Sequence, residues 1–171
     1  MAGPDPADRK PAPGPLGLVQ AFVNTVSLRE GGPDLLRDRP AAVGWFRAAG
    51  VLPQEPVLVS TSEHSNLLRL RDSLRAVLVA RTEGREDEAA AEVLTRAFAG
   101  GRLVLTVDPA AGAHWETAAR APYPSMVAAI AIAIAESATA GTWPHLRACA
   151  APGCGWAFYD ESAATRCSPG H

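Results

Sequence analysis

Three cysteines and one of the four histidines fall in CAAPGCGWAFYDESAATRCSPGH, residues 149–171. Four residues separate Cys149 from Cys154, twelve more precede Cys167, and three lie between Cys167 and His171. Zinc takes four thiolate or imidazole ligands in a tetrahedron, and structural sites draw them as pairs from two tight turns. Pro152 and Gly153 suit the first turn, and Pro169 and Gly170 suit the second. The spacing predicts a structural Zn2+ held by Cys149, Cys154, Cys167 and His171. In the competing reading the cysteines are small core residues and a free thiol, and His171 is a solvated end. His145 is then a spare ligand. The four-residue gap is not the Cys-x-x-Cys of thiol redox centres. A three-thiolate site carries too much negative charge to be a good Lewis acid, so a structural metal is expected over a catalytic one.

A second group of residues could bind an anion. Arg71 and Arg75 sit one turn apart on a strongly helical segment, and two guanidiniums at that spacing can clamp a carboxylate, sulfate or phosphate. Arg29 could join them. Asn24 stands in an apolar stretch, where a buried amide must find partners. These four form the candidate ligand site. The alternatives are an arginine rim paired to acidic neighbours such as Asp72 and an asparagine capping a helix end or bonding nearby backbone. The sequence shows no phosphate loop, nucleophile elbow or HExxH motif and no readable triad, so it gives no independent sign of an enzyme.

The elements that must carry these residues are mostly helical. Residues 1–15 hold five prolines and read as a disordered leader. Leu18, Phe22 and Val26 recur at helical spacing, and RPAAVGWFRAAGVL reads as a short helix with Pro40 in its first turn and Gly50 at its end. The clearest helix covers about 62–82, with Ser62 as its cap and Leu67, Leu70, Leu74, Val77 and Leu78 as its buried stripe. REDEAAAEVLTRAFAGG follows as another helix. RLVLTVDPAAGAHWETAAR alternates like a β-hairpin. Ile130, Ile132 and Ile134 also alternate, but their run is long, alanine-rich and preceded by Pro124, which favours a buried helix. WAFYD suits a short strand of a zinc knuckle. Trp45, Trp115 and Trp143 are expected in the core, and His64 at an exposed helix start. The fold class is mainly α with a small β-hairpin (α+β): a leader at 1–15, a helical domain at 16–142 and a zinc-binding segment at 143–171.

Apolar residues make up 47% of the 171, enough for a real core. The net charge of −2 lacks the basic excess common in nucleic-acid binders. The N-terminus has no apolar signal region, and the longest apolar run, 126–135, is too short to span a bilayer. An odd, clustered set of cysteines argues against a disulfide framework. A cytoplasmic, non-membrane protein is the expectation.

LRACAAPGCGWAFYDES resembles the start of the CGNR zinc finger, supplying Arg147, Cys149, Cys154, Trp156, Phe158, Asp160 and Ser162 in the family's order. Upstream, AFVNTV, GWFRAAGVL and LLRLRDSLRAVL resemble the ABATE domain that precedes such fingers. After Ser162 the sequence departs: the finger's basic SRRWC and Cys-Gly-Asn-Arg are replaced by ATRCSPGH, as in a truncated or altered second half. The resemblance implies a stress-responsive transcriptional regulator whose helical domain senses a small ligand and whose finger binds DNA. The altered end weakens the DNA step, because only Arg147 and Arg166 are basic there, against Asp160 and Glu161. Two alternatives stand beside it. One is a small-molecule-binding or catalytic subunit on the same fold that has lost DNA binding. The other is a module that docks a protein partner or a second copy through the aromatic segment near Trp156 and Phe158.

Overall fold

The computed structural model describes residues 11–29 and 31–161. Five helices, α1 (Leu16–Val23), α2 (Arg39–Ala48), α3 (Thr61–Glu83), α4 (Glu88–Ala99) and α5 (Pro122–Thr139), are joined by two small antiparallel hairpins. The first hairpin pairs β1 (Leu103–Val107) with β2 (Ala113–Thr117), and the second pairs β3 (Leu146–Ala148) with β4 (Ala157–Tyr159). The mainly α fold with a small β part is as expected. Among the described residues no helix is long and apolar enough to cross a membrane.

Helix α3 is the axis. Leu67, Leu70, Leu74 and Leu78 are fully buried and meet Leu16, Val19 and Phe22 of α1, Phe46 of α2, and Met126 and Ile130 of α5 in one core. Its cap is Ser60, two residues before the expected Ser62. The Ser60 hydroxyl accepts from the Glu63 N–H at 3.2 Å, and the Glu63 carboxylate accepts from the Ser60 N–H at 2.7 Å. This reciprocal pair needs a glutamate three residues on, which Ser62 lacks. Gly84 closes the helix in the left-handed conformation, φ 68°. Removing the cap with Ser60→Ala is expected to destabilise the protein by about 1 kcal/mol, a loss of roughly 2–4 °C in thermal melting.

Helix α1 ends earlier than the Leu18, Phe22, Val26 spacing suggests. The Thr25 hydroxyl turns back to the Phe22 carbonyl at 2.8 Å, and Val26 leaves the helix for an isolated antiparallel bridge to Asp34. The alternating isoleucines lie on α5 as expected, with Ile130 fully buried. Trp45 packs on Phe22 and Phe46 at ring separations of 5.9 and 4.9 Å. Trp115, expected in the core, lies instead on exposed β2, where a two-stranded sheet has one open face. His64 is half-buried rather than exposed, its Nε2 2.8 Å from the Leu36 carbonyl oxygen.

The second hairpin, drawn from residues 146–159, shares the helical core. Leu146, Ala148 and Ala157 have no exposed surface and join the cluster built by α1 and α3.

Candidate functional site

The turn that carries Cys149 and Cys154 lies between β3 and β4. Backbone bonds close it: the Cys149 N–H donates to the Trp156 carbonyl at 2.9 Å, the Cys154 N–H to Ala151 at 3.0 Å, and the Gly155 N–H back to Cys149 at 3.2 Å. Gly153 and Gly155 take left-handed conformations, φ 72° and 59°, which the reversal requires. Cys149 is buried and outside any disulfide. The turn therefore offers two thiols from one tight loop, the half-site that a tetrahedral zinc centre uses. The second half of the expected set, Cys167 and His171, lies outside the described residues. His145 does not complete it, because no group of three or more potential ligands occurs among the described residues. Its Nδ1 lies 3.1 Å from the Asp160 carbonyl oxygen, and its ring meets Tyr159 edge-on.

The helical body grips this turn through two of the residues expected to bind a ligand. Asn24, just past the end of α1, donates its amide to the Ala157 carbonyl at 2.9 Å and accepts from the Ala157 N–H at 2.7 Å. One side chain thus acts as an extra rung on the edge of β4, pairing both backbone groups of a residue 133 positions away. Arg75 is buried, with Nε on the Gly155 carbonyl at 3.2 Å and Nη2 on the Val23 carbonyl at 2.5 Å. It ties the residue after Cys154 to the end of α1. The approach is close: a Cβ on Gly155 would stand 2.7 Å from Arg75 Cδ and 2.7 Å from Leu28 Cδ1, so glycine is demanded by contact as well as by φ.

Further along the same face of α3, the Thr82 hydroxyl donates to the Ala148 carbonyl at 2.7 Å. Arg81 Nη1 donates to the carbonyls of Trp143 and Leu146 at 2.7 and 2.8 Å, and its guanidinium lies 4.6 Å from the Trp143 ring centroid. Burial, and then the nearby charge of Arg147, lower the Arg81 pKa. α3 therefore fixes the whole segment from Trp143 to Gly155 by side chain-to-carbonyl bonds. Sequence reasoning missed Arg81 and Thr82, although they follow Arg71, Arg75 and Leu78 at spacings of three and four on one helix face.

Arg71 looks elsewhere. Its Nη1 and Nη2 take the two Asp34 carboxylate oxygens at 2.7 and 3.2 Å, and Nη1 also reaches the Thr25 hydroxyl at 3.3 Å. Asp72 lies between the arginines, accepting from Arg71 Nε at 3.3 Å and from Arg75 Nη1 at 3.2 Å. Every guanidinium nitrogen of the pair thus has an internal partner. Arg29 is exposed and does not join them. Burial alone would raise the Asp34 pKa, but the Arg71 hydrogen bonds, the Leu36 N–H and the charges of Arg71 and His64 outweigh it and hold the carboxyl below its ordinary 3.8. A depressed carboxylate contributes stability that is complete above its unfolded pKa and vanishes as pH falls through the folded one. The stability gap between the native protein and Asp34→Asn is therefore expected to be constant near neutrality and to narrow below pH 3.8, as read by denaturant melts along a pH series.

Residues 16–141 match the ABATE family, which is described as a "putative stress-induced transcription regulator". No curated protein matches the chain. The family match covers well over half of the 171 residues and ends eight positions before Cys149.

Proposed function

The chain belongs to the ABATE family, and on that premise we propose a zinc-binding transcriptional regulator of the ABATE–CGNR type. Its helical body would hold a finger segment in a fixed attitude toward DNA. The observation that carries this reading is the grip on the two-cysteine turn. Asn24 and Arg75 are spent on the backbone of Ala157 and Gly155, within three residues of Cys154. A body that fixes a half-site so closely is suited to present what that half-site organises. Cys149 and Cys154 would hold a structural zinc together with Cys167 and His171, and the metal would tie the segment that carries those two residues to the gripped turn. Arg147 and Arg166 are the basic residues of the finger segment that would meet phosphate.

Ligand sensing, on this reading, works by exchange. A small anion would compete for Arg71 with Asp34, Asp72 and the Thr25 hydroxyl, and for Arg75 with Asp72 and the Gly155 and Val23 carbonyls. Binding would then loosen the finger's seat. The small-molecule or catalytic reading draws no support from the arginine pair, whose guanidinium nitrogens each have an internal partner.

Two measurements on tag-free protein test the proposal together. Zinc is quantified by mass spectrometry in the native protein and in Cys149→Ser. Affinity for mixed-sequence duplex DNA is followed by fluorescence anisotropy across a salt series. About one zinc per chain, lost in the variant, with DNA affinity that falls as salt rises, is the expected result. Absence of zinc from protein purified without chelator refutes the metal site. Zinc without any salt-sensitive DNA binding refutes the regulator reading while leaving the metal site standing.

A further inference from the structure

The β1–β2 hairpin carries large apolar side chains into solvent: Leu105, Val107 and Trp115 are 55, 64 and 40% exposed. The register places Leu105 opposite Trp115 and Val107 opposite Ala113, so these residues share one face. The ladder also fixes which backbone groups of β1 point outward. At its ends the Asp108 N–H donates to Gly112 at 2.9 Å and the Ala118 N–H to Arg102 at 3.0 Å. Even-numbered residues of β1 therefore bond to β2, and strand alternation turns the N–H and C=O of Leu103, Leu105 and Val107 to the outer edge. No strand pairs with that edge among the described residues.

Edge strands are normally blunted by charge, proline or a bulge. β1 reads LVLTV and has no such device along its length. Its charges stand just beyond its ends: Arg102 before it and Asp108 after it, both exposed.

We propose that β1 pairs antiparallel with β1 of a second copy of this chain, about a two-fold axis at Leu105, to form a continuous four-stranded sheet. The edge is self-complementary in that register. Leu105 meets its own equivalent, and Leu103 meets Val107 of the second copy, each pair bonding through the outward backbone groups. Arg102, which leaves the strand with φ 49°, comes to the same end of the paired edge as Asp108 of the second copy, so the axis brings opposite charges together at both ends, as a closed isologous interface requires. β2 is the poorer candidate, because His114 and Glu116 stand inside its length. A five-residue edge buries far less than the roughly 1,200 Å² of a stable interface, so the association is weak and concentration-dependent.

The test is sedimentation velocity of the full chain over a dilution series, joined to hydrogen exchange read residue by residue. The expected result is a reversible monomer–dimer equilibrium in which the Leu103, Leu105 and Val107 amides gain protection as concentration rises. Leu105→Lys puts two like charges on the axis and is expected to raise the dissociation constant at least tenfold. Arg102→Glu, which spares the Asp108 carboxylate that accepts from the Ala110 and Gly112 N–H groups, is expected to weaken association and reverse its salt dependence. Circular dichroism checks that each variant folds. A strictly monomeric chain at several hundred micromolar overturns the proposal. So does a dimer whose formation leaves those three amides unchanged, a result read on the unmodified protein.

Discussion

Arg75→Met is expected to be among the most damaging single substitutions in this protein, lowering stability by about 3 kcal/mol, or roughly 6–12 °C in melting temperature. The methionine fills much of the space of the arginine stem but makes none of its bonds. The buried carbonyls of Val23 and Gly155 lose a charged donor, and Asp72 loses one of its two guanidinium partners. Leaving buried acceptors unpaired costs more than the net worth of the bonds removed. Arg75→Lys should recover only part of the loss, because one ammonium cannot reach two carbonyls and a carboxylate that a planar fork spans together. Hydrogen exchange separates this effect from general destabilisation: the Cys154 and Gly155 amides should lose protection before those of α3. Uniform loss across the chain would mean that Arg75 serves the core as a whole and not the turn in particular.

Asn24 gives the second large effect, and it should depend on pH in a diagnostic way. Asn24→Ala strips the buried Ala157 N–H of its partner, leaves the Ala157 carbonyl only the long 3.4 Å bond from Gln20 Nε2, and is expected to cost about 2–3 kcal/mol. Asn24→Asp keeps an acceptor for the Ala157 N–H but sets an ionised carboxylate against the Ala157 carbonyl. The carboxyl is then favoured in its protonated form in the folded state, because only that form can donate to the carbonyl, so its folded pKa rises. The penalty of the aspartate variant should be complete above that raised value and shrink as pH falls through it toward the ordinary carboxylate range. The alanine variant should show no such recovery. Parallel pH profiles for the two variants would rule out the reciprocal rung.

The helices and their buried stripe were legible in the sequence, because apolar periodicity and glycine stops act locally. The cap of α3 was displaced by two residues, since two serines stand close together and only the spacing to Glu63 distinguishes them. Asn24 was singled out for the right physical reason, that a buried amide needs partners, whereas Arg71 and Arg75 were read as an anion clamp and are instead paired internally, with Asp72 between them as the alternative had it. Their partners could not be read. Asn24 and Arg75 bond to main-chain atoms of Ala157, Gly155 and Val23, and a carbonyl carries no mark in the amino-acid code. Asp34 is a side chain, but it reaches Arg71 only because the chain leaves α1 at Thr25 and folds back through the Val26–Asp34 bridge. Trp115 was misplaced because alternation reveals the two faces of a strand without saying whether anything covers either one.

The bond between Asn24 and Ala157 also orders events in time. The two residues lie 133 positions apart, and the core that buries α1 is closed partly by Leu146, Ala148 and Ala157. A chain emerging from its N-terminus can form α3 early, since helical contacts are local, but α1 cannot find its last partners until the segment 133 positions beyond Asn24 has been made. Closing so long a loop is slow, and until it closes the apolar side of α1 is available to other chains. Synthesis would thus pass through a long window of exposure to chaperones, ended by the arrival of one short hairpin.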